Sequence, residues 1–149
     1  MNPKKTLARL GAIQLIYDLD FNNKLTDTAQ ELDSNEDYLE NKIAYLVQFQ
    51  EAGKIQKNYA KLLVNGVVTY LETIDNKIIP NLGQGWDIDK IGLTTRAILR
   101  CGTFELISQK ELSANIIISE YIKLAQELID EEKLSFVNAI LDKISKEVK

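Results

Sequence analysis

Lys5 and Arg9 lie four residues apart, with Lys4 beside them, so on a helix the pair shares one face. Two chemistries fit such a set: a solvated cationic face, or an end that binds phosphate. Arg96 and Arg100 repeat the spacing. They read either as surface ion-pair partners, with Glu105 nearby, or as a second basic strip. The carboxylate pairs Asp87/Asp89 and Glu131/Glu132 fall on expected helix ends, where acidic residues offset the positive end of the helix dipole. Such pairs read as caps rather than as acid–base dyads; for the run Asp130-Glu131-Glu132, binding a basic partner is the optional reading. Asn138 and Asp142 are four apart on one face of the last helix, where Asn138 either serves packing or positions a neighbouring element or ligand.

Catalysis finds little to work with. The chain has no histidine and one cysteine. That excludes histidine acid–base and triad chemistry, a Cys/His zinc site and an internal disulfide. Cys101 lacks a histidine to activate it and reads as a small buried hydrophobe. Gly83-Gln84-Gly85 lacks the third glycine and the flanking strand of a phosphate loop, and no EF-hand spacing or nucleophile elbow occurs. The expectation is a binding module, not an enzyme, with no cofactor and no metal.

The 149 residues suit one domain, or two small halves sharing a core, and 45% of them are hydrophobic. Two prolines and seven glycines permit long helices and disfavour a turn-rich β fold. The net charge of −4 leaves room for a local basic patch but not for an overall cationic coat. No apolar run is long enough to span a membrane, and the N-terminus has no signal-like core, so the chain reads as soluble and cytoplasmic.

Helical periodicity then places the elements. A first helix is expected from about Lys4 to Leu19, with Leu7, Leu10, Ile13 and Tyr17 on one side and Ile16 at the margin. Asn22 to Glu36 reads as a loop with a short helix over Thr26–Leu32. Asp33 or Ser34 would cap a helix over Asn35–Glu51. A long helix follows from about Lys54 to Ile79, ended by Pro80, and Pro80 to Gly85 forms a turn between two helical halves, 1–81 and 82–149. Trp86, Ile88 and Ile91 would dip into the core from a short helical turn, and Thr94 or Thr95 would cap a helix over Leu93–Gln109, in which Gly102 permits close packing. Ser113 would cap a helix over Ile116–Ile129 whose core side includes Leu124 and Leu128. A last helix over Leu134–Val148 buries Val137, Ile140, Leu141, Ile144 and Val148.

Several strings together resemble the NusB family of bacterial transcription antitermination factors. They include Ala12-Ile13-Gln14-Leu15-Ile16-Tyr17 after Arg9, Leu63-Val64-Asn65-Gly66-Val67, and Trp86-Asp87-Ile88-Asp89-Lys90-Ile91. Further along come Arg96-Ala97-Ile98-Leu99-Arg100, Ile118-Ser119-Glu120-Tyr121 and Phe136-Val137-Asn138-Ala139-Ile140-Leu141-Asp142-Lys143. The resemblance implies a single all-α domain, 1–149, of about seven helices in two packed halves. It implies pairing with NusE, a ribosomal protein, and joint binding of boxA RNA. The complex then helps RNA polymerase read through terminators, notably in ribosomal RNA transcription. By position, Lys5 and Arg9, with Lys4 adjoining, fall on the family's RNA side, as do Arg100 and Phe136. Tyr17 and Glu132 fall on its NusE-facing surface. Thr6 and Leu7 interrupt what is commonly an arginine run, lysines replace some arginines, and Ala139 stands in place of the usual glycine. Two other readings stay open: an accessory module of the kind fused to RNA cytosine methyltransferases, and a protein-only scaffold that binds NusE with a weakened RNA face.

Overall fold

The structure, a computed structural model, describes residues 3–26, 41 and 57–149. The part of the expected Asn22–Glu36 loop from Asp27 on, the short helix over Thr26–Leu32 beyond its first residue, and the helix over Asn35–Glu51 apart from residue 41 lie outside the described residues. Everything regular that is described is helical, with no strand among the described residues. The chain divides into two compact units, Met1–Thr69 and Tyr70–Lys149.

In the first unit, α1 (Pro3–Phe21) packs on α2 (Lys57–Thr69). Pro3 opens α1 at the position where its missing N–H costs nothing. The buried stripe of α1 is Ala8, Ala12, Leu15, Ile16 and Leu19, with Ile13 beside it. The expected stripe was rotated from this one: Leu7 and Leu10 are only half-buried and Tyr17 is exposed. The two alanines explain the shift, because small side chains let a neighbouring backbone come close, which a count of large apolar residues overlooks. Ala60, Leu63, Val64 and Val67 supply the buried face of α2. At its end α1 closes with a Schellman motif: Lys24 N–H donates to the Leu19 carbonyl at 2.8 Å and Asn23 N–H to that of Asp20 at 3.1 Å. Asn23 takes the left-handed conformation this requires (φ 58°).

The expected long helix is two helices. After α2 the backbone leaves helical geometry at Tyr70 (φ −106°, ψ 26°), and α3 (Leu71–Ile78) begins there. The interruption follows Val67-Val68-Thr69, three β-branched residues in a row, each of which weakens a helix. Pro80 does end the helical run: α3 stops at Ile78 and a 3-10 turn spans Ile79–Asn81. That turn lies inside the second unit, while the division between compact units falls at Thr69/Tyr70.

The second unit is built round α4 (Leu93–Ser108), which packs on α3, α5 (Ala114–Gln126) and α6 (Glu131–Val148). Ala97 through Leu106 are buried without a break, so α4 is surrounded on all sides. Gly102 makes this possible: a Cβ there would stand 3.1 Å from a Leu141 methyl and 3.6 Å from the Tyr121 ring. Ser113 caps α5 through its hydroxyl, as expected, accepting from Ile116 N–H at 3.3 Å. Asp130 caps α6 by accepting from Lys133 N–H at 2.9 Å, with Glu131 and Glu132 in the first turn. The cap of α4 differs from expectation: it is Gly92, with no side-chain cap, and Thr95 is buried within the first turn. Leu128, expected in the core, is exposed beyond the end of α5. Val137, Ile140, Leu141 and Ile144 form the buried stripe of α6 as expected, and Val148 at its end is half-buried.

Candidate nucleic-acid interface

In the first unit, the one-turn spacing of Lys5 and Arg9 on α1 places both cations over a single ring on α2. The Lys5 ammonium lies 4.9 Å from the centroid of Tyr59, and the Arg9 guanidinium 5.7 Å from it. Lys5 is half-buried, and Arg9 is only 3% exposed. The patch therefore presents Lys5 more than Arg9, and its aromatic floor is Tyr59 of α2. Lys4 lies in α1, but its side chain is outside the described residues.

Toward the other end of α1, Tyr17 stacks on Phe21 at 6.3 Å with ring planes 8° apart. Phe21 is 62% exposed and Tyr17 38%. Phe21 was missed in the sequence, although its i+4 spacing from Tyr17 is the signal that finds it. Asp18 and Asp20, between these rings in the sequence, are half-buried.

Arg100 overturns the reading of a second open basic strip. Its Nε donates to Asp75 Oδ1 at 2.9 Å and its Nη2 to Oδ2 at 3.0 Å, a two-pronged pair joining α4 to α3. Arg100 is 5% exposed. The expected partner, Glu105, is instead buried and accepts from the Tyr121 hydroxyl at 2.8 Å. Arg96 turns its Nη1 to backbone carbonyls, 3.2 Å from that of Ile91. Cys101 is fully buried, and burial, reinforced by the Glu105 carboxylate, pushes its thiol well above the ordinary range despite the opposing charge of Arg100. It is the inert hydrophobe expected of it.

Phe136 and Glu132 come together on the rim of the second unit. With Trp86, Lys90, Gly92 and Thr95 they line a cleft of about 490 Å³, to which Asp130 and Lys133 also contribute. Trp86 was expected to dip into the core; it is 52% exposed. The reason is local. Gly83 and Gly85 both take positive φ (102° and 84°), and Trp86 N–H donates to the Gly83 carbonyl at 3.3 Å, which closes a tight turn and leaves the indole at its edge. Asn138 and Asp142 are exposed and border a shallower groove with Ser119 and Asn115 of α5. Among the described residues, no cluster of three or more His, Cys, Asp or Glu could hold a metal ion. Among them also, no helix is long and apolar enough to cross a membrane.

Among the described residues, the buried Arg100 and Glu105 are held by partners within the fold, while Trp86 and Phe21 stand exposed. The comparisons with known proteins give the family. The NusB family matches residues 6–146, and the chain belongs to it. The transcription antitermination protein NusB of Hyphomonas neptunium is 30% identical over 142 residues, covering 95% of this chain and 89% of that protein. That of Allorhizobium ampelinum is 31% identical, covering 95% and 86%. Among solved structures, T. maritima NusB superposes with a TM-score of 0.76 at 26% identity, covering 99% of this chain and 94% of that one. A protein chain in the crystal structure of a plectonemic RNA supercoil gives 0.77 at 28% identity, covering 97% and 95%.

Proposed function

We propose that this chain is an RNA-binding transcription antitermination factor that acts with NusE on boxA RNA, notably in ribosomal RNA transcription, and so reaches RNA polymerase indirectly. The observation that carries this is the family match over residues 6–146, joined to relatives named transcription antitermination proteins. The likeness to a protein chain from an RNA-containing crystal supports the RNA side. In this reading Lys5, with Lys4 adjoining, faces phosphates above the nearly buried Arg9, and Phe136 meets a base. Tyr17, together with Phe21, and the acidic first turn of α6 at Glu132 offer rings and negative charge to a basic ribosomal protein. Arg100 supports the fold through Asp75.

Binding of boxA RNA to the chain, with and without NusE, at two salt concentrations tests the proposal. The expected result is tighter binding when NusE is present and a steep fall with salt, since each phosphate neutralised adds to the slope. Lys5→Ala is expected to weaken binding of RNA sequences uniformly and to lower that slope by about one. The near-complete burial of Arg9 and Arg100 favours a second reading, a scaffold that binds NusE alone. Tight NusE binding with no gain in RNA affinity for the pair would establish that reading and sink the first.

A further inference from the structure

The exposed indole of Trp86 is given no task by the complex proposed above. Resting on that RNA-binding reading, we propose that the cleft beneath Trp86 seats one unpaired base of the bound RNA, with the indole as its stacking platform and Phe136 as the second ring. Half of the largest apolar side chain in the sequence faces solvent, although the same unit buries Tyr121 completely. One exposed apolar residue is ordinary, but here two rings, Trp86 and Phe136, line the same cleft.

The backbone that carries the indole is held. The turn is closed by the Trp86 N–H bond to the Gly83 carbonyl, and the Lys90 ammonium holds the Gly85 carbonyl at 3.0 Å. A ring on an ordered turn leaves less backbone freedom to lose when a ligand stacks on it.

Charge decides between a base and a phosphate. Lys90 and Lys133 are balanced by Asp130 and Glu132 around the cleft. Lys90 is occupied by the Gly85 carbonyl and Asp130 by the Lys133 N–H. The four formal charges sum to zero, so the cleft has no surplus of cations of the kind a phosphate site is built from, and its two rings suit a neutral planar base. Gly92 sets the polar edge: as the cap of α4 it brings no side chain to the first-turn N–H groups, and it lines the cleft. A nucleobase carries carbonyl and ring-nitrogen acceptors for such donors. An aromatic side chain of a protein partner offers ring faces but lacks that set of acceptors.

Trp86 is the sole tryptophan of the chain, so its emission reports the cleft directly. The full chain is titrated with a short, unstructured, mixed-sequence single-stranded RNA, alone and with the protein partner of the proposed complex, while a label on the RNA reports binding independently. The indole emission is expected to quench and to saturate together with the label signal. Trp86→Ala is expected to weaken RNA binding by about 5- to 150-fold, the range for loss of one stacked base. Trp86→Phe keeps a ring, is expected to retain most of the affinity, and supplies the emission blank. Circular dichroism of both variants is expected to match the parent, because the indole is mostly outside the core. RNA that binds with unchanged indole emission, or a Trp86→Ala variant that binds as the parent does, overturns the cleft while leaving the RNA reading intact. Quenching by the protein partner alone, with no further change on adding RNA, assigns the cleft to a protein side chain and also overturns it. No RNA binding under either condition overturns both.

Discussion

Arg100 and Trp86 lie in the same compact unit, and each occupies the place that side-chain type alone would give to the other. The cation is 5% exposed and the indole 52%. Arg100 can be inside because Asp75 on α3 meets its planar guanidinium with both carboxylate oxygens, so neither charge is buried alone. Trp86 stays outside because two glycines with positive φ turn the chain before α4 and set the ring on the rim. The contrast teaches that ligand surfaces in this unit are found by asking which groups have already spent their bonding capacity within the fold. Arginines 96 and 100 have done so on carbonyls and Asp75. The rings at positions 86 and 136 have not.

The strongest way to break that comparison is to remove the buried cation. Arg100→Ala leaves Asp75 without its two charged hydrogen bonds, in a site where its side chain is only 18% exposed. Loss of one partner of such a pair costs about 3–5 kcal/mol, which urea unfolding followed by circular dichroism measures directly. The double variant Arg100→Met with Asp75→Leu is expected to recover much of this, because the uncompensated charge goes with its partner. A variant Arg100→Ala that unfolds like the parent yet loses RNA affinity would place the guanidinium on RNA and reverse the assignment made for it.

Cys101 sharpens the interior half of the comparison. Its thiol stays protonated in the folded chain because burial beside Glu105 raises its pKa, whereas in the unfolded chain it ionises in the ordinary range, at about 8.5. The sign follows: below that ordinary value both states hold the proton and nothing changes. Above it the unfolded chain releases a proton the folded chain keeps, so stability falls as pH rises. The added slope approaches about 1.4 kcal/mol per pH unit, and Cys101→Ala is expected to remove it while also lowering stability at every pH by creating a small cavity. Unfolding midpoints of the two proteins from neutral to alkaline pH are the measurement; parallel curves would show that the thiol ionises equally in both states.

How much of this was legible beforehand differs between the same regions. The stripe Val137, Ile140, Leu141 and Ile144 is written in the sequence as three- and four-residue spacing, and so are the Ser113 cap and the stop at Pro80. These depend on neighbours within a turn or two. The Arg100–Asp75 pair spans 25 residues and the Tyr121–Glu105 bond joins two helices, so no local pattern announces either. The stripe of α1 was misplaced because Ala8 and Ala12 mark close approach through smallness, while periodicity weighs large residues. Trp86 was placed inside because an indole is the largest apolar group, and the sequence does not state that both nearby glycines adopt positive φ. Phe136 and Glu132 were picked by resemblance, and the fold brings them to one cleft; Tyr59 beneath Lys5 and Arg9 became visible only with α1 packed on α2.

The smallest expected effect tests the turn itself. At Gly83 the φ of 102° lies where a side chain is strained whatever room it has, and room exists, since the nearest atom to an added Cβ is 3.9 Å away. Gly83→Ala is therefore expected to cost about 1 kcal/mol through backbone strain alone, a shift of a few degrees in Tm for a unit of this size. If the turn relaxes to relieve that strain, Trp86 moves with it, because its N–H is tied to the Gly83 carbonyl. The emission maximum of the indole is then expected to shift while the helical signal is unchanged. A Gly83→Ala variant with parent stability and parent emission would mean that the glycine conformation does not hold the ring on the rim, and the exposure of Trp86 would need a cause other than the turn.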